Sequence, residues 1–365
     1  MSLGSKASRP QVTPPSKAWG KTKLLMGEGK VVEWFMYKGD VLQLVRRLAK
    51  HLIETGVAEG IVSGVSKEGK VSLHIARSAV EVDESPLDHV LLHGYRGLES
   101  TVRAARERKK EKLAVLVKPC EARAIVELAK RRQVDLNLAF IIGFDCPGIR
   151  ANSDAGDELK EAMSAAPSGE LLRDACRRCE VHAPPHADVY ISLLASPEIL
   201  LVGAKTEKGT RVVESLRKDG VLSDRPPQEL LLGREKKLKL LDEKGRETLR
   251  EEEGKLLSTP NNERLSWFMG QLNSCTRCSA CIRACPLCFC KDCVLIAERK
   301  KYSPSLFLVT RMLHMADACV CCGKCDEVCP KSIPLSYMFY HLGRRFTSRH
   351  SYLSGVDFSK PPRIV

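Results

Sequence analysis

The chain has 365 residues, of which 43% are hydrophobic and 5% aromatic, and it carries a formal net charge of +14. That length allows two or three domains around packed cores. The low aromatic share argues against a base-stacking platform for nucleic acid, and no stretch approaches the 18 uncharged apolar residues a membrane span needs. The first residues contain no apolar signal-peptide core, so the expected compartment is the cytoplasm, where thiols stay reduced. Sixteen cysteines then read as metal ligands rather than disulfides. The positive charge suits an acidic partner surface or an anionic cofactor, and equally a solvated basic surface.

Residues 1–23 are rich in Ser, Pro and Lys and read as a basic disordered tail, with Lys6, Arg9, Lys17, Lys21 and Lys23 unopposed by any acid. Val41, Leu42, Leu44, Val45, Leu48, Leu52 and Ile53 recur at helical spacing and predict a helix over 41–55. Residues 58–65 and 71–76 read as a strand pair about the Lys-Glu-Gly turn at 67–69. The apolar run Leu113–Val117 predicts a buried strand. A helix over 121–131 and a strand over 138–143 follow. Strand, helix and strand in this order point to a βαβ unit and a parallel sheet. Another strand is expected over 198–202, after Ser196-Pro197. Residues 225–256 are charged and helix-prone, and read as a solvated helical connector. A short helix over 261–274 leads into the cysteine block, which places the main boundary near residue 260. The expected fold is an α/β (α+β) central domain with parallel strands over 24–260, followed by a two-cluster ferredoxin-like domain over 261–365.

Two cysteine runs carry the strongest chemistry. Cys275-x2-Cys278-x2-Cys281-x3-Cys285-Pro286 and Cys319-x2-Cys322-x2-Cys325-x3-Cys329-Pro330 both match the bacterial ferredoxin spacing, in which the fourth cysteine ligates the other cluster. The first 4Fe-4S cluster is therefore assigned to Cys275, Cys278, Cys281 and Cys329, and the second to Cys319, Cys322, Cys325 and Cys285. Structural zinc typically uses two separated C-x2-C pairs, which these runs are not. Cys120 and Cys146 each follow a predicted parallel strand, at the edge where open α/β sheets bind ligands. With the pair Cys176 and Cys179 they could hold a third cluster. They could equally be two small buried thiols and an unrelated pair. Cys288, Cys290, Cys293 and Cys321 have no assigned role. His182 and His186 flank two prolines and read as loop histidines. Gly20, Gly27, Gly29 and Gly39 form no phosphate-binding fingerprint.

Several segments together resemble a known family. They are Lys118-Pro-Cys-Glu with the helix beginning at Ala122, Ile142-Gly-Phe-Asp-Cys146, and Cys176-Arg-Arg-Cys-Glu180 followed by Ala187-Asp188. The others are Cys285-Pro-Leu-Cys-Phe-Cys290 with Cys293, Ile333-Pro-Leu-Ser-Tyr-Met-Phe339 and Ser354-Gly-Val-Asp357. From about residue 112 onward the chain resembles the coenzyme F-420 hydrogenase/dehydrogenase beta-subunit family, most of all the beta subunits of deazaflavin-dependent formate dehydrogenases. The resemblance implies an oxidoreductase subunit that holds FAD beside one 4Fe-4S cluster in its central domain. It implies Cys120, Cys146, Cys176 and Cys179 as that cluster's ligands and Lys118 and Asp188 as cofactor-binding residues. It also implies electron exchange with coenzyme F-420 and with a catalytic dehydrogenase or hydrogenase subunit. The sequence departs from the family at Tyr37-Lys-Gly-Asp40, where the family has a Cys-Gly-Gly segment. It departs again at Val189–Ser196, where the family has a glycine- and tryptophan-containing loop. An alternative expectation is therefore a cluster-only relay without flavin, docked to a heterodisulfide-reductase-type or other redox enzyme.

Overall fold

The computed structural model describes residues 33–67, 70–87, 97–149 and 172–362; the expected N-terminal tail and residues 68 and 69 of the expected turn lie outside them. Seven strands form one sheet in the order β1-β7-β6-β5-β4-β2-β3. They are β1 (Glu33–Lys38), β2 (Gly60–Lys67), β3 (Lys70–Ala76), β4 (Leu113–Val117), β5 (Phe140–Phe144), β6 (Val189–Ser192) and β7 (Ile199–Ala204). The central strands β2, β4, β5 and β6 run parallel. Both edges are antiparallel, with β3 against β2 and with β7 and β1 beyond β6.

Strands β4, β5 and β6 are buried along their whole length, as a sheet covered on both faces requires. Alternation decides which side chain goes where. Ala114, Leu116, Phe140, Ile142, Val189 and Ile191 face a core closed by the helices Val41–Glu54 and Glu207–Lys218. Leu113, Val115, Val117 and Ile141 face the other core, closed by the helix Pro119–Lys130 and by Ile282, Leu287, Phe307, Leu308 and Phe339 from beyond residue 260. The cysteine block thus packs directly on the sheet's second face.

Most sequence expectations are met within two or three residues, and two segments change character. The charged stretch expected as a connector is a single helix, Gln228–Ser258. It lays a stripe of Arg234, Leu241, Asp242, Gly245 and Leu249 against the body. The departure from Val189 is not a loop at its start: Val189–Ser192 is β6, fully buried in the middle of the sheet. Asp40, in the other departing segment, caps the helix Val41–Glu54 by accepting from the Leu42 and Gln43 N–H groups. Among the described residues no helix is long and apolar enough to cross a membrane.

Candidate functional site

The βαβ unit sets the first part of the site. β4 ends at Val117, and Lys118 caps the helix that follows: its N–H donates to Glu121 Oε2 at 2.6 Å, and its Nζ lies 3.1 Å from the same oxygen. Both side chains are buried. Burial raises the Glu121 pKa against the pull of Lys118. On Lys118 burial acts downward, but Glu121, Cys120 and Cys146 outweigh it and hold the ammonium charged. A fixed cation therefore stands beside two half-buried thiols, Cys120 and Cys146.

The four dispersed cysteines come together at this edge. Cys120 opens the helix after β4, and Cys146 follows β5. Burial, with Cys176 next, pushes the Cys146 thiol up to about 12. Burial also pushes Cys179 up to about 12, with Cys176 and Cys146 among its neighbours. Cys120 is raised well above the usual thiol range by burial, then by Glu121 and Cys322, with Cys146 also near. Glu121 Oε1, buried beside them, has no hydrogen-bond partner among the described residues. The four are half-buried, and thiols raised in this way ionise only where positive charge compensates them, so this donor set fits a thiolate-held metal cluster.

The loop from Cys176 to Ala187 is held by contacts that sequence reasoning missed. His182, read as a loop histidine, is buried, and its two ring nitrogens lie 2.7 Å from the Cys146 carbonyl oxygen and 3.1 Å from that of Cys179. Gly245 of the long helix lets the Cys179 carbonyl approach to within 1.9 Å of where a Cβ would sit. Arg178 donates to Glu252 of the same helix at 2.8–3.2 Å and to the Ser336 hydroxyl at 3.2 Å.

The two C-terminal runs form a structural repeat. In each, the residue two after the first cysteine is left-handed: Arg277 (φ 57°) and Cys321 (φ 57°). The backbone N–H of each donates to the sulfur of the cysteine two residues earlier, Arg277 to Cys275 at 3.3 Å and Cys321 to Cys319 at 3.4 Å. The residue four after the first cysteine is left-handed as well, Ser279 (φ 64°) and Gly323 (φ 76°), and each starts a one-turn helix, Ala280–Arg283 or Lys324–Glu327. Cys321 therefore occupies the turn position that Arg277 fills in the first run.

The fourth cysteine of each run lies among cysteines of the other. Cys275, Cys278, Cys281 and Cys329 line one cleft, and Cys278 is exposed at it. Burial raises Cys275, with Cys278 and Cys329 adding to the effect. Burial pushes Cys322 up to about 12, and Cys285 and then Cys319 reinforce it. Cys325, also raised by burial, has Cys319 and Cys322 as neighbours. Among the described residues no three His, Cys, Asp or Glu side chains close on a site for a single metal ion.

Arg311, from the helix Pro304–His314, is a buried cation of this region. It donates to the Cys281 carbonyl at 2.7 Å and to Cys288 Sγ at 3.3 Å. Cys288 lies beside Cys285, and their hydrogen bond is the main cause that lowers the Cys285 thiol, with Arg311 helping. Cys290 is exposed and Cys293 half-buried.

The central and C-terminal cysteines are stitched together. Arg173 pairs with Glu327 and donates to the Cys322 carbonyl at 3.2 Å. A Cβ on Gly323 would meet Ala175 Cβ at 2.5 Å. Arg123, on the helix after β4, donates to the carbonyls of Val320 at 3.2 Å and Ser354 at 2.9 Å. Gly355 (φ 70°) has no room for a side chain, because a Cβ would lie 2.2 Å from the Arg123 carbonyl. Its N–H donates to Glu127, which also accepts from Tyr352 and Lys130. The Ser354-Gly355 segment singled out by sequence is thus the clasp that closes the tail over the βαβ helix.

Lys118 and Asp188 are not brought together. Lys118 stands at the carboxyl end of β4. Asp188 stands at the start of β6, where it accepts from the Ile141 N–H at 2.7 Å and the Thr206 hydroxyl at 2.6 Å and pairs with Lys208 at 3.1 Å.

No protein-family model matches the chain. The chain is 30% identical over 296 residues to the F420-dependent formate dehydrogenase subunit beta of Methanocaldococcus jannaschii, an alignment covering 69% of this chain and 76% of that one. It is 25% identical over 382 residues to the F420-dependent formate dehydrogenase 1 subunit beta of Methanococcus maripaludis, covering 90% and 94%. Among solved structures, a chain of the F420-reducing NiFe hydrogenase complex from Methanosarcina barkeri aligns at a TM-score of 0.43 and 16% identity, covering 62% of this chain and 92% of that one.

Proposed function

The chain belongs to the family of F420-dependent formate dehydrogenase beta subunits, and on that premise we propose that this oxidoreductase subunit is an iron–sulfur electron-transfer subunit of a formate dehydrogenase- or hydrogenase-type complex. In this reading residues 24–260 carry one 4Fe-4S cluster and a flavin, and residues 261–365 carry two more clusters in a ferredoxin-type module. Clusters would supply one-electron transfer, and FAD would exchange a hydride with coenzyme F-420.

The observation that supports the reading is that cysteines assigned to different quartets adjoin one another. Cys120 of the central quartet neighbours Cys322 of the second C-terminal quartet. Cys281 of the first C-terminal quartet neighbours Cys285, assigned to the second. This order supports a path from the sheet edge, through the second quartet, to the solvent-open first quartet and on to a catalytic partner. The residues around the quartets have separable tasks. Arg173 and Arg123 fix the distance between the central and second quartets. Arg311 offsets thiolate charge between the second and first. The Arg277 and Cys321 N–H groups direct partial positive charge at sulfur.

A relay without flavin is the second reading, and one observation favours it. Both segments that depart from the family pattern are committed to the scaffold: Asp40 caps a helix, a Cβ on Gly39 would meet the Tyr37 ring at 3.0 Å, and Val189–Ser192 is a buried strand. The test is acid-released flavin from protein purified without oxygen and reconstituted with FAD, followed by an assay of coenzyme F-420 reduction. About one FAD per chain together with F-420 turnover supports the first reading. Intact clusters without flavin support the relay.

A further inference from the structure

Ser279 does not perform the task its sequence position predicts. A serine ahead of a helix ordinarily accepts a hydrogen bond from an N–H of the first turn, and this protein follows that rule elsewhere. Ser78 accepts from Glu81, Thr206 from Gly209 and Ser303 from Leu306. Ser279 precedes the turn Ala280–Arg283, yet its side chain makes no cap bond. Its φ of 64° is left-handed, where an ordinary N-cap is extended. A left-handed serine is disfavoured, and glycine is the usual occupant; the second run has Gly323 at this place, with φ 76°. The side chain is only 1% exposed, and its Oγ has no hydrogen-bond partner among the described residues. The residue lines the cleft shared by Cys275, Cys278, Cys281 and Cys329.

A buried, unpartnered hydroxyl in a strained backbone position signals a partner that protein atoms do not provide. We propose that Ser279 donates a hydrogen bond to the sulfur of a cluster held by the first C-terminal quartet and so raises its reduction potential. The inference rests on the cluster reading above. A donor to sulfur favours the more negative, reduced state. The hydroxyl keeps its proton throughout, and reduction adds one electron and nothing else. The repeat sharpens the point, because Gly323 offers no such donor to the second quartet.

The experiment is an EPR-monitored redox titration of the full chain, purified without oxygen, with dithionite as reductant. Ser279→Ala removes the hydroxyl and keeps the Cβ. Ser279→Gly removes both and fits the left-handed backbone, so it does not threaten folding. Both variants are expected to keep wild-type iron and sulfide and to lower one midpoint potential alone. A tenfold fall in the one-electron reduction constant would read as about 59 mV. An unchanged or higher potential in both variants, with iron content intact, overturns the role of Ser279 and leaves the cluster reading standing. A Cys278→Ala variant with unchanged iron and unchanged EPR signals overturns the cluster reading itself, and this inference with it.

Discussion

Two glycines in the helix Gln228–Ser258 should respond in opposite directions to the same substitution. In a helix interior, glycine costs about 1 kcal/mol relative to alanine. At Gly254 nothing lies within 4 Å of the place a Cβ would occupy, so Gly254→Ala should stabilise by about 1 kcal/mol. At Gly245 a Cβ would sit 1.9 Å from the Cys179 carbonyl oxygen and 2.8 Å from its carbon. Ordinary contact begins near 3.4 Å, so helix or loop must yield by about 1.5 Å. The obstacle is backbone, and His182 Nε2 lies 3.1 Å from that same oxygen, so it cannot swing aside as a long side chain would. Overpacking costs typically about 1–3 kcal/mol. At the upper end of that range Gly245→Ala is a net loss of about 2 kcal/mol once the helix gain is deducted. Urea unfolding of both variants, with iron content measured alongside, checks this. Gly245→Ala should unfold earlier than wild type and hold less iron, while Gly254→Ala unfolds later. Equal stabilisation by both would refute the close approach of the long helix to the Cys176–Cys179 loop.

Three further outcomes follow from buried charge. Tyr352, Lys130 and the Gly355 N–H hold Glu127 below the usual carboxylate range despite burial. The stability it supplies is therefore complete above 4.5 and lost as pH falls through its lower folded value. Glu127→Gln should flatten the acid limb of a melting-temperature profile, and an unchanged acid limb would count against the clasp. Burial pushes Asp242 up to about 7, the opposite sign. Its ionisation should cost stability as pH rises from 3.8 toward 7, so Asp242→Asn should raise the melting temperature at pH 8 and leave it unchanged at about pH 3.5. Arg311→Met removes hydrogen bonds to the Cys281 carbonyl and Cys288 sulfur. Hydrogen bonds to charged groups contribute about 1.5–3 kcal/mol, so the variant should unfold at lower urea and bind less iron; wild-type values for both would contradict its role.

Local signals are legible in the sequence, and long-range ones are not. Leu113–Val117 is apolar at every position, so its fate as a doubly buried strand needs no partner information. The helix Val41–Glu54 repeats its leucines at helical spacing, and the two ferredoxin-type runs are read from spacing alone. β6 escapes a sequence reading because four residues are too few for a period, although Val, Tyr and Ile favour strands. The long helix reads as solvated because its buried stripe includes Arg234, Asp242 and Gly245. The burial of Arg234 and Gly245 depends on Asp145 and the Cys179 carbonyl, far away in sequence. The same distance hides His182, Arg311 and Glu127. Their sequence neighbours give no sign that they bridge carbonyls or clasp the tail. Ser279 has a visible signal, since the repeat sets it against Gly323.

If three cysteine quartets hold iron–sulfur clusters in series, the full chain purified without oxygen should contain about twelve iron and twelve acid-labile sulfide, from three 4Fe-4S clusters, with no stoichiometric zinc. Elemental analysis with a sulfide assay measures all three. Zinc in place of iron, with no sulfide released on acidification, would contradict the cluster reading.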